Sequence, residues 1–348
     1  MSSRSWAVLL TVLGACRAER QTAATPWHDA SPHTVRMVPV ALGTSLEVLD
    51  WGGHGRSLVL LAGLGNTAHV FDDLAPSLTD SFRVYGITRR GFGRSTQPPD
   101  SDVASLVSDL RIVLDSLPLS KVILVGHSIA GDELNAFAGS YPHRCQALVY
   151  LEAAYDHTQS ATAALRRMHW PRRPPMTAAD SATPAAVEAY LARTGGVRPP
   201  EADLRAVTRF DSAGRYVGDL TPDSLALLMT RHLPPPAYGR LECPSLAIYA
   251  VSDSAAALIP WYHQLDSTGR ADAERYFPVW RAWQQHSIMQ YRSSAPFSHV
   301  VEIHNADHYV FLSHRAQTVS ALRAFLNGIP RVGGPLGRTR IREEAPSP

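Results

Sequence analysis

The sequence is poor in several things that would have set its class at once. It has one lysine, Lys121, so nearly all of its positive charge is arginine, a compositional habit rather than a binding patch. Its formal net charge of +2 is too small to draw a polyanion, which argues against a nucleic-acid partner. It lacks any apolar run long enough to span a bilayer as a mature helix; the longest near the amino terminus, Trp6 to Leu13, is far too short. It has no internal repeat. Cysteine is scarce, at three residues. What remains is ordinary for a globular protein: 348 residues, 45% hydrophobic and 18% charged, enough to build a sizeable core.

The amino terminus reads as an export signal. Arg4 precedes the short apolar run, and Leu13-Gly14-Ala15-Cys16 closes it with small residues before a cut. The tetrapeptide resembles the bacterial lipoprotein signal, in which the cysteine is lipidated, so Cys16 is the expected lipidation site. The expected localisation is therefore exported, as a membrane-anchored lipoprotein or, if cleavage is simple, a periplasmic or extracellular protein. Export leaves Cys145 and Cys243 in an oxidising compartment, each three residues ahead of an apolar run. If those runs are neighbouring parallel strands, the two cysteines sit at similar heights. They are a possible disulfide, with two buried free thiols as the alternative.

Residues 17–34 are polar and read as a tether. Apolar alternation from Val35 to Asp50 predicts a hairpin turned at Gly43-Thr44. Strands then alternate with helices: a buried strand over 57–62, a helix over 69–78, a strand over 82–87, a helix over 103–117, and strands over 122–125 and 147–151. This rhythm predicts a mostly parallel sheet flanked by helices. It breaks over residues 154–241, a proline-rich and mostly helical stretch that reads as a cap, and resumes with strands over 245–251 and 299–303 and a last helix over 316–326. A second insertion, 255–296, carries a long helical pattern with Trp280, Trp283 and Met289. The expected core is therefore 35–153 with 242–328, and residues 329–348 are expected to be a disordered tail.

The chemistry centres on Gly126-His127-Ser128-Ile129-Ala130-Gly131, which joins a buried strand to a helix. A serine on such a corner stands clear of the sheet, and the first helical amides point at charge developing beside it. A hydroxyl is a poor nucleophile without a base, and a base is usually oriented by an acid. His308, in the polar loop after the last strand, is the best placed of 15 histidines. His299 and His304, in or beside that strand, read as structural. For the acid, Asp253 at the end of strand 245–251 is preferred, and Glu152 at the end of strand 147–151 is the alternative. The oxyanion donors are expected to be the backbone amides of Leu64, in Gly63-Leu64-Gly65, and of Ile129.

Together these features resemble the α/β-hydrolase superfamily, and within it the capped serine hydrolases. Gly126 to Gly131 resembles the nucleophile elbow, and Arg90-Gly91-Phe92-Gly93-Arg94-Ser95 resembles the superfamily's Arg-Gly-x-Gly-x-Ser loop. Three positions depart from the pattern: Ala130 for the second elbow glycine, Thr88 for an aspartate, and Ala62 for a histidine before the oxyanion loop. The resemblance implies an α/β-hydrolase fold with a helical cap and an ester hydrolase acting through an acyl-enzyme on a small or medium acyl substrate. No cofactor or metal is expected, and the expected partners are a small-molecule substrate and, through Cys16, a membrane. A proline iminopeptidase-like amidase and a catalytically silent binding protein are the alternatives. Trp170, Tyr190 and Phe210 are expected to shape the pocket from the cap.

Overall fold

The computed structural model describes residues 27–97, 102–231 and 233–329; Cys16, the signal and the tail beyond 329 lie outside them. Residues up to Ala30 belong to a separate unit, and the body begins at Ser31. Among the described residues, no helix is long and apolar enough to cross a membrane.

The body opens with the antiparallel hairpin β1 (Thr34–Ala41) and β2 (Thr44–Gly52), turned at Gly43, whose φ of 71° is comfortable only for glycine. Then come β3 (Arg56–Leu61), β4 (Phe82–Thr88), helix α1 (Val103–Ser116), β5 (Val122–His127), α2 (Ala130–Ser140) and β6 (Cys145–Leu151). The 154–241 stretch holds α3 (Ser160–Arg167), α4 (Pro184–Gly195), α5 (Glu201–Val207), a small hairpin of β7 (Thr208–Phe210) and β8 (Tyr216–Asp219), and α6 (Asp223–Thr230). The chain returns through β9 (Ser245–Val251), α7 (Ala255–Leu258), the long α8 (Ser267–Ser294), β10 (Ser298–His304), α9 (Val310–Ser313) and α10 (Arg315–Asn327).

Eight strands form one sheet in the order β1-β2-β4-β3-β5-β6-β9-β10, parallel from β4 onward. Strand side chains alternate between faces, so a strand buried on both sides must be apolar throughout. In β5, Val122 and Leu124 join the core under α1, α2 and α8, while Ile123 and Val125 join the core under α10. Two sandwiched cores therefore explain why 122–125 shows no polar alternation. The parallel strands from β4 onward all end at one edge, and the loops that follow them carry the site.

Three expectations change here. The helix expected over 69–78 is two short 3-10 turns, Ala68–Phe71 and Ala75–Leu78. Thr67 caps the first through His69 N, and Pro76, which has no N–H to continue a helix, opens the second. The cap stretch also carries the β7–β8 hairpin, whose strands are too short to leave a periodic signal. Cys145 and Cys243 are neighbours in one core, but both are free thiols and not a disulfide.

Candidate active site

Ser128 sits between β5 and α2 with φ at 55°, a left-handed backbone that a non-glycine residue adopts only where the surroundings impose it. Its N–H donates to Leu151 O (3.1 Å), which anchors the corner to β6. Small residues make the turn possible. A Cβ on Gly131 would lie 1.9 Å from Ala153 O, and one on Gly126 would lie 2.8 Å from a Leu134 methyl. Ala130 is fully buried in this turn, so the departure from glycine there is accommodated.

His308 lies in the loop after β10. Its Nδ1 is 3.2 Å from Glu152 Oε2. With Nδ1–H donating to that carboxylate, Nε2 carries the free lone pair of a base. Glu152 is buried, and its backbone is also left-handed, at φ 50°. Its Oε1 accepts from Ala250 N and Tyr155 OH, both at 2.7 Å. Gln284 of α8 donates to Tyr155 OH and to Ala250 O, both at 2.9 Å, bracing the same group. Burial opposes charging His308, but the hydrogen bond and charge of Glu152, with the charge of Asp307, outweigh it and hold the imidazole above its ordinary pKa.

The preferred acid of the sequence reading, Asp253, is not beside His308. It is exposed at the end of β9, where it pairs with His304 Nδ1 (3.0 Å) and accepts from Asn305 Nδ2 (3.2 Å). That histidine's hydrogen bond is the first of the effects holding the Asp253 carboxyl below its usual range. The alternative, Glu152, occupies the orienting position. Both acids lie between Ser128 and His308 in chain order, so order could not separate them; only the turn of the backbone after each strand does.

The Gly63-Leu64-Gly65 loop is tied down by residues that the motifs did not single out. Buried Arg89 donates to Ala62 O (2.7 Å) and Gly63 O (3.0 Å), and it is paired with Glu133 of α2. One guanidinium thus joins the loop bearing Leu64 to the helix that follows Ser128. Among the described residues, neither Leu64 N–H nor Ile129 N–H donates to another backbone group. Asp203 of α5, fully buried, accepts from Asn66 Nδ2 (2.7 Å), Thr67 N (2.8 Å) and Thr67 Oγ1 (2.7 Å). Asn66 Oδ1 in turn accepts from Tyr309 OH (2.9 Å), next to His308. Thr88 carries a polar role after all: its hydroxyl donates to Glu47 (2.9 Å) and accepts from Ala68 N (3.0 Å).

His127 is also missed by motif reading. Its Nε2 lies 3.1 Å from the His308 carbonyl, to which it donates, and its ring packs on His308, Tyr309 and Phe311. Complete burial, reinforced by the neighbouring His308, drives its pKa well down and keeps it neutral. A Cβ on Gly63 would lie 2.7 Å from its Nδ1, so glycine there lets the oxyanion loop lie flat on this ring.

Ser128, Glu152 and His308 line one cavity of about 480 Å³. Ser128 Oγ and His308 share this wall without a hydrogen bond between them among the described residues; such bonds commonly tighten only when substrate is bound. Trp170 comes from the cap as expected. Tyr190 and Phe210 do not reach the cavity: Tyr190 is buried, with its hydroxyl on Pro174 O, and Phe210 packs in the small hairpin against Tyr216. Trp261, Trp280 and Trp283 enter instead from the second insertion.

A family model described as the alpha/beta hydrolase fold matches residues 49–186. A serine hydrolase-like protein of Danio rerio is 30% identical over 119 residues, 33% of this chain and 36% of that protein. A putative carbamate hydrolase, RutD, of Caulobacter segnis is 35% identical over 111 residues, 31% of this chain and 42% of its own. The chain thus spans well under half the length of these curated relatives. Among solved structures, E-2-(acetamidomethylene)succinate hydrolase superposes with a TM-score of 0.60 at 22% identity, covering 85% of this chain and 99% of that one.

Proposed function

We propose that this chain, a member of the α/β-hydrolase superfamily, is a serine hydrolase that cleaves esters through an acyl-enzyme. The observation that carries the reading is the strained Ser128 corner sharing one cavity with a histidine already oriented by a buried carboxylate. In this reading Ser128 Oγ attacks the substrate carbonyl while His308 Nε2 takes its proton. Glu152 holds the imidazole in the required tautomer and stabilises its charged form. The Leu64 and Ile129 amides receive the oxyanion. His308 then protonates the leaving alcohol, and water, activated by the same base, releases the acid.

The cavity's wall of four tryptophans and Tyr155 supports an apolar acyl or alcohol group of small or medium size. Export and lipidation at Cys16 belong to the same proposal; Cys16→Ser should abolish incorporation of labelled fatty acid in cells.

A fluorophosphonate probe tests the nucleophile. The folded protein is expected to carry one adduct, at Ser128, and Ser128→Ala none. A folded wild type that stays unlabelled supports the binding-protein reading instead. Hydrolysis of p-nitrophenyl esters but not proline amides separates esterase from iminopeptidase.

A further inference from the structure

We infer that His33, His69 and Asp72 form a binding site for one divalent transition-metal ion, with zinc the ion that its donor set suits. The site lies on segments that the proposed chemistry does not use. His33 immediately precedes β1, His69 is buried in the 3-10 turn Ala68–Phe71, and Asp72 follows that turn, also buried. One ligand atom from each falls within 4.8 Å of the others. His69 Nδ1 is 3.2 Å from Asp72 Oδ2, and His33 Nε2 is 3.4 Å from Asp72 Oδ1. Ligands about 2.0–2.1 Å from a tetrahedral zinc lie about 3.3–3.4 Å apart; the two imidazoles stand at about that separation from Asp72, one from each of its oxygens. Two imidazoles and a carboxylate supply three protein ligands of the kind zinc takes.

The surroundings match what ligands to a metal usually have. Trp51 Nε1 donates to Asp72 Oδ1 at 3.1 Å, fixing the carboxylate. Glu47, fully buried on β2, places Oε1 3.7 Å from His69 Nε2, so a carboxylate faces the far side of the imidazole. Arg94, itself largely exposed, reaches Glu47 from outside at 4.0 Å. Two buried carboxylates beside two imidazoles offer a donor set that a divalent cation can take in place of the protons it holds. Such an ion would staple the entry of β1 to the turn that follows the oxyanion loop, so its effect falls on stability rather than on the chemical step.

The test is zinc binding by the untagged full chain after chelator treatment and dialysis. Equilibrium dialysis against ZnCl₂ with elemental analysis is expected to give one zinc per chain. His33→Gln and Asp72→Asn are expected to lose it, and Glu47→Gln to bind about 10–100-fold more weakly. His33→Gln removes a ligand at the margin of the sheet, and its far-UV circular dichroism checks that it folds. Co²⁺ gives an independent reading: the wild type should show the visible d–d bands of a four-coordinate site, absent in His33→Gln. The inference is overturned if the wild type takes up no zinc, or if folded His33→Gln and Asp72→Asn bind it as tightly as wild type. Either result would mean that protons alone hold this network together.

Discussion

At the scale of single residues, the account rests on which carboxylate faces His308. A base works only when unprotonated, and Glu152 raises the affinity of this imidazole for its proton. Esterase kcat/KM should therefore rise with pH along a limb whose midpoint lies above the ordinary histidine value, and fall as His308 becomes protonated below it. In Glu152→Gln the neutral amide no longer favours imidazolium, so whatever activity survives should show that limb at lower pH. A pH–rate profile of both proteins checks the direction; a limb that stays in place would remove Glu152 from the site. The positions of Ser128, His308 and the Gly63–Gly65 loop were legible because each sits at a strand end bounded by glycine or polar residues. Which carboxylate stands beside His308 was not, since Asp253 and Glu152 both follow apolar strands. What separates them is the left-handed turn at Glu152 and its three partners, and neither leaves a mark in a string of letters.

At the scale of elements, the elbow and the cap latch make separate predictions. Gly131→Ala puts a methyl group against the Ala153 carbonyl, a backbone atom that cannot step aside. The start of α2 must move, taking the Ile129 amide with it. Losing one oxyanion donor costs about 10²–10³ in kcat, so a loss of that order with KM little changed is expected from steady-state kinetics. Asp203→Ala cuts the link between α5 and the oxyanion loop, leaving Asn66 and Thr67 without an acceptor. Buried donors left without an acceptor cost about 1–3 kcal/mol each, so a clear fall in Tm by calorimetry and a fall in kcat are expected. A Tm equal to wild type would show that the latch does not hold. This latch could not be read in advance, because an aspartate inside a helical cap looks like any solvated residue until its partner loop is in place.

At the scale of the whole molecule, the sheet was the most legible feature. Strands buried on both faces must be apolar throughout, and the β5 and β6 runs have no other use. The cavity was the least legible, because its walls come from segments far apart in the chain: Trp170 from the cap, and Trp261, Trp280 and Trp283 from the insertion between β9 and β10. An apolar wall of this kind should reward longer acyl chains. Each buried methylene contributes about 0.8 kcal/mol, or roughly fourfold in kcat/KM, until the cavity is full. A p-nitrophenyl ester series from acetate upward should show that climb and then a plateau; a preference for acetate throughout would mean that the tryptophans do not receive the acyl chain.

In the proposed reaction Ser128, His308 and Glu152 act as one unit, with Asp253 outside it. Comparing ester kcat/KM for wild type, Glu152→Gln and Asp253→Asn at one pH tests it most directly. Glu152→Gln is expected to lose about 10³–10⁴-fold, as when a histidine loses its orienting carboxylate, while Asp253→Asn keeps wild-type activity. The reverse pattern, with Asp253→Asn inactive and Glu152→Gln active, would contradict the account.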